Sequence, residues 1–425
     1  MQIACYIKTS LLLLALCCLA PCQAQQRVNA LFIGNSYTEV NNLPAMVQQI
    51  ASSMGDQLTY QSNTPGGCTF SQHCGNRSME LIRNGGWDIV VLQEQSQYPS
   101  FPQWQVEAEV FPYAKRLVDS VYAHSPCGEP MFYMTWGRKN GDAGNAQSFP
   151  VLGTYEGMDS MLCERYTYMA QQNDASLCPV GRVWRYLREN HGDIELYQSD
   201  ESHPSVAGTY AAACAFYVMF FHRDPDAIVY DASLPQATAQ TIRSAVRRVV
   251  YENIEQWKRP RPQAAFTVEA FEGSTVSLTS SSLHADSLTW FFGDGTDTTM
   301  SAGQAALHHT YPDTVNHTIT LIASRHCMTD TFSVAYGSTE DIVQRMAEAV
   351  LIYPNPAKDW LTIALTENAE QSAVTIFSLD GRQVATFELQ NPISVLDVGS
   401  LPTGEYLLQI TRPAGIIVRK IVIHQ

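Results

Sequence analysis

A serine, an aspartate and a histidine stand far apart in this chain at positions from which they can act together. Ser36 follows the apolar run LFI at a Gly/Asn turn, in LFIGNSYTEV. Asp200 and His203 lie three residues apart in YQSDESHPSVAG, just ahead of a helix-like run. A serine hydroxyl is a poor nucleophile until a nearby base takes its proton. A histidine can do so and later return the proton to a leaving group. An aspartate beside it fixes the ring tautomer and stabilises the imidazolium. Together, Ser36, His203 and Asp200 are the residue types of acyl transfer through a covalent intermediate. Each has a plainer alternative: Ser36 as a helix cap, Asp200 or Ser202 as the cap of the later helix, His203 as polar surface.

The elements between them decide whether these groups can meet. Short apolar runs alternate with longer amphipathic ones from Val28 to about Trp257. VNALFIG, QLTYQSN, WDIVVLQEQS, PMFYMTWG and IELYQSD read as strands. Leu43 to Met54, VEAEVFPYAKRLVDSVYAHS, Thr154 to Ala170, RVWRYLREN, HPSVAGTYAAACAFYVMFF and Gln236 to Trp257 read as helices. That alternation predicts a parallel sheet covered on both faces. In such sheets ligands bind beyond the carboxyl ends of the strands, where Ser36 falls. The loop carrying Asp200 and His203 is expected to end the last strand, IELYQSD, and to face the same cleft. Trp136 and Arg138 follow the fourth strand. Trp136 is expected to stack on a sugar face, and Arg138 to hold an anionic or acetylated group. Packing roles are open to both, and Tyr98 and Phe101 can line the opposite wall.

On these residues the segment from Val28 to Trp257 resembles the SGNH hydrolases, the GDSL-like esterases and lipases. The nucleophile block of that family appears as GNS with Ser36, and its terminal Asp-x-x-His block as DESH with Asp200 and His203. The resemblance implies a three-layer α/β/α fold and a serine ester hydrolase. It further implies an oxyanion donor from the glycine block NTPGG, at Gly66 or Gly67. The family's Gly-x-Asn-Asp block is replaced by VVLQEQSQYP. A glutamine amide offers the same N–H on a stem one methylene longer. Gln95 is the favoured substitute, Gln93 the second, and Gln97 a third. That glutamine-rich block is similar to a branch found in secreted proteins of Bacteroidetes.

Beyond Trp257 the composition changes. KRPRPQAAF is a proline-rich basic linker, and the strand signals after it lack long helices. WFFGDGT, HTYPD and ITLIAS together resemble a PKD-type β-sandwich, in which Asp294 and Gly295 set a tight turn. YPNPAKD, an LDG turn and LPTGEYLLQI resemble the C-terminal sorting domain of the type IX secretion pathway. That likeness implies a delivery tag, handled by the secretion machinery and carrying no chemistry. The expected organisation is a signal peptide over 1–24, the hydrolase-like domain over 25–258 and a linker over 259–264. A PKD-like sandwich over 265–338, a linker with a helical pattern over 339–350 and the sorting domain over 351–425 complete it.

The bulk properties narrow the partners. At 425 residues and 45% hydrophobic, the chain is too long for one ordinary domain and too apolar for a disordered one. Its formal charge of -15 repels phosphate backbones and anionic membranes, so nucleic acid is not an expected partner. The start, MQIACYIKTSLLLLALCCLAPCQAQQ, has the lysine, short apolar core and small residue at Ala24 of a secretory leader. Cys17, Cys18 and Cys22 lack the small preceding residue that lipidation favours, and no transmembrane anchor is expected. Seven cysteines remain after the leader; pairs Cys68–Cys74 and Cys163–Cys178 are expected, with Cys214 a buried thiol. Neither a metal site nor a cofactor is expected. Polar candidate loops favour a short acyl group, such as acetate on a small molecule or glycan. The rival readings are a non-catalytic surface carbohydrate binder on a degenerate hydrolase fold, and a lipase or phospholipase.

Overall fold

The computed structural model describes residues 24–270, 274–304, 306–312, 317–336, 350–365, 372–378, 382–389, 391–412 and 415–424. The leader up to Gln23, most of the helical pattern near Glu340 to Val350, and the LDG turn lie outside them. The chain divides into two compact units, one ending at Pro260 and one beginning at Arg261.

In the first unit the elements run β1 (Arg27–Ile33), α1 (Ser36–Glu39), α2 (Leu43–Ser53), β2 (Gln57–Asn63), α3 (Phe70–His73), α4 (Arg77–Asn84) and β3 (Ile89–Leu92). They continue α5 (Gln103–Glu109), α6 (Phe111–His124), β4 (Glu129–Tyr133), α7 (Ala143–Ala146), α8 (Tyr155–Gln172) and β5 (Ser176–Cys178). Helices α9 (Val180–Asn190), α10 (Val206–Phe221), α11 (Gln236–Val249) and α12 (Ile254–Trp257) close the unit. The five strands form one parallel sheet in the order β2-β1-β3-β4-β5.

Strand alternation sorts the core into two layers. Ala30 and Phe32 of β1, Ile89 and Val91 of β3, and Met131 and Tyr133 of β4 pack into one layer with α2, α9, α10 and α11. Leu31 and Ile33, Val90 and Leu92, and Phe132 pack into the other with α4, α6 and α8. Apolar side chains on both faces explain the continuous runs in the sequence. Helix α10 is buried from Ala207 to Phe221, so it shows no polar face.

The strand order sets the site. From β1 the chain steps outward to β2, then crosses back to add β3 on the other side of β1. The loops leaving β1 and β3 therefore start at the carboxyl edge where the strand order reverses, the position at which open α/β sheets bind ligands. Ser36 leaves β1 there, and Gln93 to Gln97 leave β3. IELYQSD, expected as a strand, is not one. It forms a loop closed by a single bridge between Tyr197 and Pro204, because the sheet ends at β5 and the backbone of the segment bonds within itself.

The cysteine pairs also differ from expectation. Cys68, Cys74, Cys163, Cys178 and Cys214 are free thiols; Cys127 and Cys327 are disulfide-bonded. Cys178 packs in the α10 layer and Cys163 against the α8 layer, so the sheet separates them. The capped turn of α3 directs Cys68 toward Asn76 and Cys74 toward the Tyr113 carbonyl.

The second unit is antiparallel β-structure. Strands β6 (Phe266–Ala270), β7 (Thr275–Ser280), β8 (Ser287–Phe291), β9 (Asp297–Ser301), β10 (Ala306–Thr310), β11 (His317–Arg325) and β12 (Met328–Tyr336) form sheets β10-β7-β6 and β12-β11-β8-β9. Trp290, Leu278 and Leu321 lie in the core they share. The Asp294 turn is held by its carboxylate, which accepts from Thr296 N at 2.9 Å and pairs with His309 Nε2 at 2.8 Å. Gly293 has φ +85, and a Cβ there would meet Thr318 O at 2.7 Å, so only glycine fits. Strands β13 (Val350–Tyr353), β14 (Trp360–Leu365), β15 (Ser372–Ser378), β16 (Gln383–Leu389), β17 (Ile393–Asp397), β18 (Gly404–Arg412) and β19 (Gly415–Ile423) form sheets β13-β14-β17 and β16-β15-β18-β19 over a separate core.

Candidate active site

The turn after β1 is built around Asn35. This residue, and not Ser36, caps α1: its side chain accepts from Tyr37 N at 3.2 Å. Ser36 is thus the first helical residue, and its hydroxyl is left to other partners. Asn35 Nδ2 donates to Cys68 O at 3.0 Å and Glu94 O at 3.3 Å. One buried amide so gathers the Ser36 turn, the glycine loop and the loop after β3. Gly34 sits where a Cβ would lie 2.5 Å from Thr38 Oγ1 and 2.7 Å from Gln93 Oε1. His73 closes the turn from behind, with Nε2 2.9 Å from Gly34 O and Nδ1 2.7 Å from Ser78 Oγ. The carbonyl requires Nε2–H, so Nδ1 accepts from Ser78. Burial lowers the pKa of this imidazole to about 4.

The acidic and imidazole groups come from a self-bonded loop. Gln198 N donates to His203 O at 2.8 Å, Glu201 N to Gln198 O at 3.0 Å, and Ser205 N to Leu196 O at 2.8 Å. Glu201 takes φ +61 to close the turn. Ser205 caps α10 by accepting from Gly208 N at 3.1 Å, displacing the expected caps Asp200 and Ser202. That frees Asp200 to accept from Ser202 N at 3.1 Å and His203 N at 3.0 Å through one oxygen. Its other oxygen pairs with His203 Nδ1. Partial burial pushes the Asp200 carboxyl upward, but the ring and backbone donors outweigh it and hold the pKa below its ordinary value. On the far side of the ring, His203 Nε2 lies 2.9 Å from Ser36 Oγ. Residues 167 positions apart thus meet in one hydrogen-bonded line, Asp200–His203–Ser36.

The oxyanion candidates separate clearly. Gln93 is fully buried, and both ends of its amide are committed. Oε1 accepts from Asn35 N at 3.0 Å and Thr38 Oγ1 at 2.9 Å, while Nε2 donates to Asn35 Oδ1 at 3.0 Å and to Glu94 O. It braces the Ser36 turn and cannot donate to a ligand, which corrects the expectation for it. Gln95 is half-buried; its Oε1 accepts from Gln97 N at 2.9 Å, orienting the amide and leaving Nε2 without a protein acceptor among the described residues. Gln97 Oε1 is taken by Arg138. Gly67, at φ +66, and Ser36 both carry N–H groups with no protein acceptor among the described residues.

Trp136 is a second correction. It is 0% exposed, stacked 3.7 Å from Trp184 on one side and 4.8 Å from Tyr37 on the other. With both faces covered it has none for a sugar. Arg138 stays at the rim, 29% exposed, bonded to Gln97 and 3.1 Å from Asp142 Oδ1.

Glu94 is the residue that sequence reasoning passed over. It is fully buried, and its carboxyl accepts from Phe70 N at 3.0 Å and Gln95 N at 2.6 Å. Burial pushes its pKa up to about 8 against the pull of those donors. An acidic residue two positions beyond the apolar run IVVL was the available signal. Among the described residues no group of three or more His, Cys, Asp or Glu could hold a metal, and no helix is long and apolar enough to cross a membrane.

Residues 351–424 match the model of the secretion system C-terminal sorting domain, so the protein is secreted or held at the cell surface. No curated protein matches the chain. Among solved structures, the chain is similar to a DUF4886 family protein from Bacteroides uniformis, at 15% identity over 54% of this chain and 95% of that one, TM-score 0.47. It is also similar to a putative GDSL-like lipase from Parabacteroides merdae, at 11% identity over 46% and 96%, TM-score 0.33. The PKD1 domain of Vibrio anguillarum Epp matches at 23% identity over 18% and 92%, TM-score 0.16.

Proposed function

We propose that the α/β unit is a serine ester hydrolase that removes short acyl groups, acetate foremost, from carbohydrate or other polar acceptors. The observation that carries this reading is the 2.9 Å approach of Ser36 Oγ to His203 Nε2, with Asp200 bonded to the opposite ring nitrogen. His203 takes the Ser36 proton as Oγ bonds to the ester carbonyl carbon. Asp200 keeps Nδ1 protonated and stabilises the imidazolium. The N–H groups of Ser36 and Gly67 and the amide of Gln95 receive the developing oxyanion, each donor worth about 3 kcal/mol of transition-state stabilisation. The ester C–O bond breaks, and the alcohol leaves with the proton from His203. Water, activated by the same imidazole, then releases the acid and restores Ser36.

Arg138, at the rim, is the candidate for orienting an acetyl or anionic group. In this reading the hydrolase domain spans 25–258, a PKD-like spacer 265–338 and the sorting domain 351–425, the last removed by the type IX machinery on delivery. The test is labelling of the folded full chain with a fluorophosphonate. Prompt labelling at Ser36, abolished in Ser36→Ala, is the expected result. Well-folded protein that takes up no label would instead mark the unit as a non-catalytic binder, and preferred turnover of long-chain esters would mark a lipase.

A further inference from the structure

We infer that Tyr37 is a positioning residue that locks the base loop to the nucleophile helix, an inference that rests on the hydrolase reading above. Tyr37 follows Ser36 directly and is 2% exposed. Its hydroxyl lies 2.7 Å from Ser202 Oγ, in the loop between Asp200 and His203. Its ring lies parallel to Trp136 and meets the His203 ring edge-on at 5.5 Å and 72°. Trp136 Nε1 in turn donates to Ser202 O at 3.2 Å. Ser202 is thus held through its hydroxyl by Tyr37 and through its carbonyl by the tryptophan behind Tyr37.

The need for such a lock follows from where the loop's other bonds lead. The bonds that close it run among Leu196, Gln198, Glu201, His203 and Ser205 and fix its shape. Lys139 N, donating to Glu201 O at 2.9 Å, and the Tyr197 hydroxyl, donating to Gly137 O at 2.7 Å, tie it to the segment after β4 but not to the nucleophile helix. Asn41 Nδ2 holds the far end, at Pro204 O, 3.0 Å away. Next to the imidazole, the Tyr37 hydroxyl joins the nucleophile helix to the loop. Proton transfer depends on the Ser36–His203 separation, and small displacements of a reacting pair carry large rate penalties. Tyr37 touches neither the transferred proton nor the acyl group. It sets where the imidazole sits.

The experiment compares Tyr37→Phe, Ser202→Ala and the double variant in the full chain, with folding checked by circular dichroism. The readouts are the fluorophosphonate labelling rate at Ser36, kcat and KM on an aryl acetate, and the low-field proton resonance of the His203 ring N–H bonded to Asp200. Each single variant is expected to lower the labelling rate and kcat about tenfold with KM unchanged, the scale of one lost hydrogen bond. The double variant should be no slower than the slower single, because both remove the same bond. The ring-proton resonance should broaden in Tyr37→Phe. Wild-type rates in Tyr37→Phe, or losses that multiply in the double variant, would overturn the lock while leaving the hydrolase reading intact. A wild-type chain that never labels, yet shows a ring proton that broadens in Tyr37→Phe, would overturn the hydrolase reading and leave the lock standing.

Discussion

The two halves of the proposed machinery are held by different physics. The nucleophile turn is sealed: Gly34 and Asn35 are buried, Gln93 fills the space beside them, and His73 and Glu94 close it from behind. The base loop lies open, with His203 31% and Asp200 45% exposed at the side chain, and is shaped by its own backbone bonds. A buried hydroxyl–amide network tolerates little change, because each lost partner strands a desolvated group. An exposed loop tolerates change everywhere except at its few struts. Damage at the turn should therefore appear first as lost stability, and damage at the loop as lost rate.

The sharpest test of that contrast is Asp200→Asn. The loop should keep its shape, the tautomer of His203 should be wrong, and kcat should fall by up to about 10⁴-fold with little change in thermal midpoint. A large drop in midpoint would instead make Asp200 a structural residue. Next come two glutamines two positions apart. Gln95→Ala should lower kcat by roughly 10²-fold or more at nearly native stability, the cost of one oxyanion donor. Gln93→Ala should cost about 1–3 kcal/mol in urea unfolding, because it strands Asn35 and Thr38. If Gln93→Ala were instead stable and slow, the two assignments would exchange.

The smallest effect is a pH dependence confined to the turn. The His73 pKa falls from 6.5 to about 4 on folding, so its contribution is complete above pH 6.5 and is lost as pH falls toward 4. The Glu94 pKa rises from 4.5 to about 8, so its contribution is complete below pH 4.5 and is lost as pH rises through 8. Between 4.5 and 6.5 the two slopes oppose, and above 6.5 only the Glu94 loss remains. Urea unfolding should therefore show stability declining from pH 6.5 to 8, and Glu94→Gln should flatten that limb. An unchanged limb in the variant would place the titration elsewhere.

Much of this arrangement was legible in the chain. The apolar runs of β1, β3 and β4 announced strands buried on both faces, and the alternation with amphipathic segments announced a parallel sheet. Ser36 and the Asp200–His203 spacing stood out because their chemistry needs those residue types. Contacts made at a distance were not legible. Trp136 looked like a sugar platform, and its burial depends on Trp184 and Tyr37 arriving from other elements. Gln93 and Gln95 were equivalent as letters; strand β3 ends at Leu92, so the alternation meant to pair them stops before either. Cys163 and Cys178 were near in sequence, yet an intervening sheet keeps them apart.

By itself the sequence determined the class of the first unit, its first four strands and the residue types able to transfer an acyl group, but not its last strand. Periodicity and local chemistry are properties of neighbouring letters, and they survive without coordinates. Only the tertiary structure decided that the Ser36 hydroxyl faces His203, that Asn35 rather than Ser36 caps the helix, and that Gln93 braces the turn while the Gln95 amide N–H keeps no protein acceptor among the described residues. Those outcomes depend on which groups from distant segments share a small buried volume, and no local pattern encodes that competition for partners.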